Sequence, residues 1–339
     1  MRYSVELALS GLHLRHKRAH ALLVRDFVSW LRVEFLGAAA GTGVAAALAD
    51  RPRTVDDLAA ALGARDRGLL GSLLAVGESV GELRVDRAGR WRLAGARARA
   101  LVDPAVDGLA ALPEEAVAYG TDVYRGLGER LAGAPAGDYL ATHGELVART
   151  SRVAEPIFGP LVADVVRASR PGRVLDVGCG SGVNLRHVAG ASAVATGVGI
   201  DLDAGVVDLA RRNLAVWGLG GRFAAHRADV RRLPGELAGP WDLVLLMQNI
   251  YYFDGDDRAG LLQALRALAP AGTVVVATAV AGTGDPAAAH LDLVLRSTVG
   301  NTPLPTVPEL GADLADAGFT SVEARRLAPW QPLRAFVAR

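Results

Sequence analysis

Cysteine occurs once in these 339 residues, at Cys179, which excludes an intramolecular disulfide and any cysteine-built metal centre. Lysine is equally scarce: Lys17 is the only one, and arginine carries almost all of the positive charge. Lysine and arginine number 37 against 36 aspartates and glutamates, a formal net charge of +1. So even a balance gives no electrostatic footprint for a polyanion, and no nucleic-acid partner is expected. Long apolar runs are missing too, since charge or glycine interrupts them well short of the roughly 18 residues that a membrane-spanning helix needs. The opening residues show no signal-peptide pattern, so a cytoplasmic location without membrane partners is expected.

What is abundant is core-forming material. Hydrophobic residues make up 51% of the chain, enough for a globular protein of about two domains. The most informative stretch is Val174-Leu175-Asp176-Val177-Gly178-Cys179-Gly180-Ser181-Gly182. An apolar strand ends in an acid and enters a turn with glycine at 178, 180 and 182. Glycine admits positive φ and lets a ligand lie against bare backbone. A helix pattern begins at once (Asn184, Leu185, Val188), so a ligand there meets N–H groups and the positive helix end. No Gly-Lys-Ser/Thr ending follows, which speaks against a phosphate-cradling loop. Asp176 would repel a pyrophosphate and pair with an ammonium.

This run resembles motif I of the class I S-adenosylmethionine-dependent methyltransferases. The resemblance implies a Rossmann-like α/β sheet, with the loop Gly178, Cys179, Gly180 and Gly182 against the methionine part of the cofactor and Asp176 beneath it. Residues 195–201 read as a second strand ending in Asp201, about twenty residues on, where an acid can accept ribose hydroxyls. Asp203 could instead cap the next helix. The third strand, 223–228, leads into Asp229-Val230, which the resemblance places at the adenine amine and a ring nitrogen. Leu202 and Met247 are expected in the same cleft.

Residues 241–247 form a fourth strand, followed by Gln248-Asn249-Ile250-Tyr251-Tyr252-Phe253 and a helix through Leu261, Leu262, Leu265 and Leu268. A fifth strand covers 273–279, and the tail reads as two more strands around Pro329 and Pro332. Ligands in such open sheets sit beyond the carboxyl ends of the strands.

The first half reads differently. Residues 19–48 give one or two helices with an apolar stripe (Phe27, Trp30, Leu31, Val33, Phe35). Thr54 is placed to cap a helix, a third helix spans 67–80, and 83–93 alternate around an Arg-Ala-Gly turn, a hairpin signal. Together these make a winged helix-turn-helix. The third helix is too apolar to read DNA, and the segment resembles the N-terminal domain through which small-molecule methyltransferases dimerise. The basic cluster His13, Arg15, His16, Lys17, Arg18 and His20 reads as a solvated helix face. The expected organisation is a winged-helix-like dimerisation domain at 1–103, a helical joining region and substrate lid at 104–169, and the cofactor-binding catalytic domain at 170–339.

Methyl transfer to oxygen or carbon needs a base near the acceptor. In the O-methyltransferases of this architecture a histidine follows the fourth strand, and Tyr252 stands in that place. His143, in the joining helices, and His290, after the fifth strand, are the remaining candidates, with Gln248 or Asn249 at the strand end. Two histidines and an amide oxygen would also suit a divalent metal chelating an α-keto acid. The leading expectation is a small-molecule methyltransferase of bacterial secondary metabolism acting as a homodimer. A metal-assisted C-methyltransferase and a winged-helix regulator that senses the cofactor are the alternatives.

Overall fold

The computed structural model describes residues 16–329 and 332–339, apart from the side chains at 140, 141, 255 and 256. Of the basic cluster, His13 and Arg15 lie outside the described residues. The chain divides into two compact units, Met1–Thr121 and Asp122–Arg339, so the stretch 104–169 contributes to both.

The first unit is helical with one small hairpin. Helix α1 (Lys17–Gly41) is followed by α2 (Val44–Ala47), α3 (Val55–Leu62) and α4 (Arg67–Ser79). Strands β1 (Leu83–Val85) and β2 (Trp91–Leu93) then pair antiparallel. Thr54 starts α3 with a reciprocal capping box: Asp57 N–H donates to its Oγ1 at 3.1 Å, and Thr54 N–H donates to Asp57 Oδ2 at 3.2 Å. Asp66 caps α4 by a single bond, accepting Leu69 N–H at 2.9 Å. Phe35, Leu36, Leu58, Leu74, Leu83 and Trp91 form the core of this unit. The apolar stripe expected on the first helix splits in two. Phe35 is buried, whereas Phe27 is 56% and Trp30 50% exposed, with Leu22, Leu23 and Val24 beside them in the open.

The second unit opens with short helices, among them α5 (Tyr139–Thr150) and α6 (Glu155–Ser169). A doubly wound α/β sheet follows. Its elements are β3 (Arg173–Val177), α7 (Val183–Ala191), β4 (Thr196–Asp201), α8 (Ala204–Val216), β5 (Phe223–Arg227) and β6 (Leu243–Met247). Helix α9 (Gly255–Leu268), β7 (Thr273–Ala279), α10 (Pro286–Arg296), α11 (Val307–Asp316), β8 (Val322–Arg326) and β9 (Leu333–Ala338) complete it. The strand order is β5-β4-β3-β6-β7-β9-β8. The first five run parallel; β9 is antiparallel to β7 and to β8. Every residue of β6 and β7 is buried, as expected for central strands covered on both faces.

The chain winds outward from β3 through β4 to β5, then returns to place β6 on the other side of β3. That reversal opens a crevice at the carboxyl ends of β3 and β6, the place where an open α/β sheet takes its ligand. Among the described residues no helix is long and apolar enough to cross a membrane.

Candidate active site

The loop after β3 has the geometry its glycines allow. Gly178, Gly180 and Gly182 take φ of +66°, +53° and +80°, in the left-handed region where a side chain is strained. Their surroundings differ. A Cβ on Gly178 would meet the Asn249 amide at 2.1 Å, whereas one on Gly180 would meet nothing within 4 Å. Gly178 therefore faces protein, and Gly180 faces open space. The loop is braced from behind: Cys179 N–H donates to Ile200 O at 2.9 Å, and Asn213 Nδ2 donates to Ser181 O at 2.9 Å.

Asp176 lies fully buried at the end of β3. Asn184 Nδ2, from the first turn of α7, donates to its Oδ1 at 3.3 Å, and its Oδ2 has no partner. Burial pushes its carboxyl up to about 7, against the Asn184 hydrogen bond and with help from the Asp201 charge. A buried carboxylate with an open oxygen beside a bare glycine loop suits one kind of group, a cation with N–H donors. The α-ammonium of S-adenosylmethionine is such a group, so these residues fit the cofactor.

The remaining cofactor candidates gather along the same strand ends. Asp201 accepts Gly180 N–H on Oδ2 and Asp203 N–H on Oδ1, each at 3.2 Å. Asp203 takes the capping role on α8 through Val206 N–H at 2.9 Å, which leaves Asp201 to the loop. Leu202, next in line, is 56% exposed, an apolar side chain with a face to offer a nucleoside. Asp229 is gripped by Arg231, whose Nε and Nη2 donate to its two oxygens at 2.8–3.1 Å. These bonds hold its carboxyl below the usual range. Arg231 also donates to Asp257 Oδ2 at 2.8 Å, linking the end of β5 to α9. Val230, next to Asp229, and Met247, at the end of β6, are buried. Cys179 is packing: its sulfur lies where a Cβ on Gly199 would sit 2.8 Å away, and burial raises its thiol far above the ordinary value.

The acceptor-side candidates come from three separate segments. Gln248 turns the chain after β6 with φ +57°, and its Oε1 accepts Ala279 N–H at 2.9 Å. Its amide oxygen is thereby committed to the sheet. Tyr252 is 37% exposed, with its ring edge-on to Tyr251 at 4.9 Å. His143 sits half-buried at a kink inside α5, with φ −128° and ψ 26°. His290, exposed on α10, meets a residue that sequence reading missed: its Nδ1 lies 2.9 Å from the Tyr124 hydroxyl, the rings parallel. Gly137 joins the same side, donating its N–H to Ser297 O and accepting Val299 N–H, both at 2.9 Å. Two points thus pin the segment after 121 to α10. Among the described residues no three His, Cys, Asp or Glu side chains converge as a metal site. A cleft of about 770 Å³ between Gly282–Asp285, Thr306 and Arg334 shares no residue with the glycine loop.

Asn184 and Arg231 also escaped assignment from the sequence alone, and Asn249 was expected only as an alternative to Gln248 beside a metal or a carbonyl. Asn184 carried a signal in its position in the first turn after the loop; the other two are brought in by the fold.

Comparison with known proteins agrees with this geometry. Residues 174–272 match a family model described as a methyltransferase domain. No curated protein sequence matches the chain. Among solved structures, the mitomycin 7-O-methyltransferase MmcR is similar at 20% identity and a TM-score of 0.79, over 96% of this chain and 99% of that one. The N,N-8-amino-8-demethyl-D-riboflavin dimethyltransferase RosA from Streptomyces davawensis is 26% identical, with a TM-score of 0.70 over 95% and 99%. Human N-acetylserotonin methyltransferase, solved with S-adenosylmethionine, is 18% identical, with a TM-score of 0.75 over 97% and 99%. The matched segment and the sheet order together give the second unit of this chain a methyltransferase domain of the class I, S-adenosylmethionine-dependent fold, preceded by a mainly helical unit.

Proposed function

We propose that the protein methylates a hydroxyl or amine on an aromatic or heteroaromatic small molecule of bacterial secondary metabolism. The observation that carries this reading is the docking of the segment after 121 on α10 through Tyr124–His290 and Gly137. The histidine so held lies on α10, the helix that follows β7 in the chain. The three similar methyltransferases named above act on a mitomycin, an aminoflavin and N-acetylserotonin.

Bound S-adenosylmethionine supplies an electrophilic methyl group on sulfur. The chain's task is to hold the acceptor in line with it and to exclude water, and positioning of this kind contributes several kcal/mol. His290 is the proposed base. In the tautomer whose Nδ1–H donates to the Tyr124 oxygen, Nε2 is the proton acceptor. An aromatic amine sheds its proton readily once alkylated, so an amine acceptor leans less on that base than a hydroxyl does. Tyr252, in the place of the family's histidine, and His143, at the α5 kink, are proposed to line the acceptor side. Residues 104–169 are the proposed substrate lid. The exposed apolar row of α1 supports dimerisation through a winged-helix-like N-terminal domain.

The metal-assisted reading gains no observation: of its two amide candidates, Gln248 has its oxygen held by Ala279 N–H, and Asn249 lies against Gly178 with its Nδ2 on Val177 O. The regulator reading gains none either, because Arg67 at the start of α4 is paired with Asp56 at 3.0 Å. The test is a methyl-transfer assay on a panel of phenols, aromatic amines and α-keto acids, read by mass spectrometry. Turnover of phenols or amines supports the proposal; turnover confined to α-keto acids sinks it. Sedimentation of the wild type and of Trp30→Asp checks the dimer, which the substitution is expected to split.

A further inference from the structure

Two buried side-chain oxygens among the described residues have no hydrogen-bond partner, Asp176 Oδ2 and Asn249 Oδ1. A buried acceptor left unsatisfied is unfavourable and uncommon in native proteins. Both of these lie at one place, the reversal point between β3 and β6, against the stretch 176–178.

Asn249 is 7% exposed and is carried there by the positive-φ turn at Gln248. Its Nδ2 donates to Val177 O at 2.6 Å, which fixes the orientation of the amide. Turning the amide over would set two oxygens 2.6 Å apart, so Oδ1 must be the open atom. The same amide fills the space that a Cβ on Gly178 would need. Gly178 is thus glycine because Asn249 lies against it, as well as for its φ.

Two fixed, dry acceptors, one of them a carboxylate, call for a donor with several N–H groups and a positive charge. An ammonium has three such donors; a neutral hydroxyl has one. We infer that Asn249 is a cofactor-binding residue whose amide oxygen accepts one N–H of the α-ammonium of S-adenosylmethionine while Asp176 accepts another. This rests on the assignment of the glycine loop to that cofactor. It explains why the chain after β6 turns through a strained residue to bring an amide back to β3.

The test is calorimetric titration of the full-length protein and of Asn249→Ala with two ligands. S-adenosylhomocysteine carries the amino acid; 5′-methylthioadenosine keeps the nucleoside and sulfur but lacks it. Loss of a hydrogen bond to a charged group predicts about 10- to 100-fold weaker binding of S-adenosylhomocysteine. Binding of 5′-methylthioadenosine is expected to stay within about 2-fold, because no ammonium is present. Equal weakening of both ligands would overturn the inference and make Asn249 a prop for the loop. No change in either would also overturn it. Should the wild type bind neither ligand, the cofactor assignment itself fails, a different result from either of these. If Asn249→Ala does not fold, Asn249→Ser, which keeps a donor on the Val177 side, is titrated with the same expectations.

Discussion

The two sides of the second unit are built by different means. On the cofactor side, the loop after β3, Asp201 after β4 and Asp229 after β5 are each the direct continuation of a strand. They are tied to one another by short bonds such as Gly180 N–H to Asp201. The candidates proposed for the acceptor side, Tyr124, His143, Tyr252 and His290, come from segments far apart in the chain; Tyr124 and His290 meet through their side chains, and Tyr252 packs edge-on to Tyr251. The first arrangement suits a ligand that never changes. The second lets acceptor preference shift by replacing single side chains without disturbing the sheet.

The sharpest way to break this comparison is to substitute within the glycine loop. Gly178→Ala must adopt a left-handed backbone, at about 1–2 kcal/mol, and must displace the Asn249 amide, at about 1–3 kcal/mol more. Gly180→Ala meets only the backbone term of about 1–2 kcal/mol, since no protein atom lies within 4 Å. Urea unfolding should therefore rank Gly178→Ala well below Gly180→Ala. Both should lose cofactor affinity, because the Gly180 methyl occupies ligand space. Equal stabilities would show that the two glycines do not face different surroundings.

Next in size is the acceptor side. His290→Gln is expected to lower kcat by about 100-fold for a phenolic acceptor, the lower end of what a general base contributes. The dissociation constant of S-adenosylhomocysteine should be unchanged. Tyr124→Phe should fall in the same direction by a smaller factor. Loss of cofactor binding in either variant would blur the division drawn here.

Asp176 gives a smaller effect with a sign set by pH. Its folded pKa, about 7, lies above the ordinary 3.8, so the folded chain holds this proton more tightly than the unfolded chain does. The resulting stability is full below about 4 and is lost as pH rises through about 7. Thermal melts of the ligand-free protein across that window should slope downward from this group, and Asp176→Asn should flatten the slope. An unchanged slope would place the titrating group elsewhere. Smallest of all, Cys179 should resist thiol reagents in the folded protein and react only on unfolding, because burial raises its thiol.

How much of this was legible in the sequence follows the same division. Strand β7 lies where apolar continuity put it, and Thr54 caps α3 as expected. The glycine loop was readable because strand, turn and helix are contiguous, so local patterning fixes them. Asn249 was readable as a polar candidate after the fourth strand, but its closeness to Gly178 was not, since that depends on β6 pairing beside β3. The Tyr124–His290 pair spans 166 residues and follows no periodicity. On α1 the stripe of Phe27 and Trp30 was visible, but their 56% and 50% exposure was not, because amphipathicity marks an apolar face without naming what covers it.

The central claim is that a buried carboxyl beneath the glycine loop receives the ammonium of S-adenosylmethionine. Calorimetric titration with S-adenosylmethionine at pH 6, in two buffers of different ionisation enthalpy, tests it most directly. With its pKa near 7, Asp176 is mostly protonated at that pH and must ionise to pair with the ammonium. The account predicts release of roughly one proton per cofactor bound, abolished in Asp176→Asn. Binding with no proton release, or release that persists in Asp176→Asn, would contradict it.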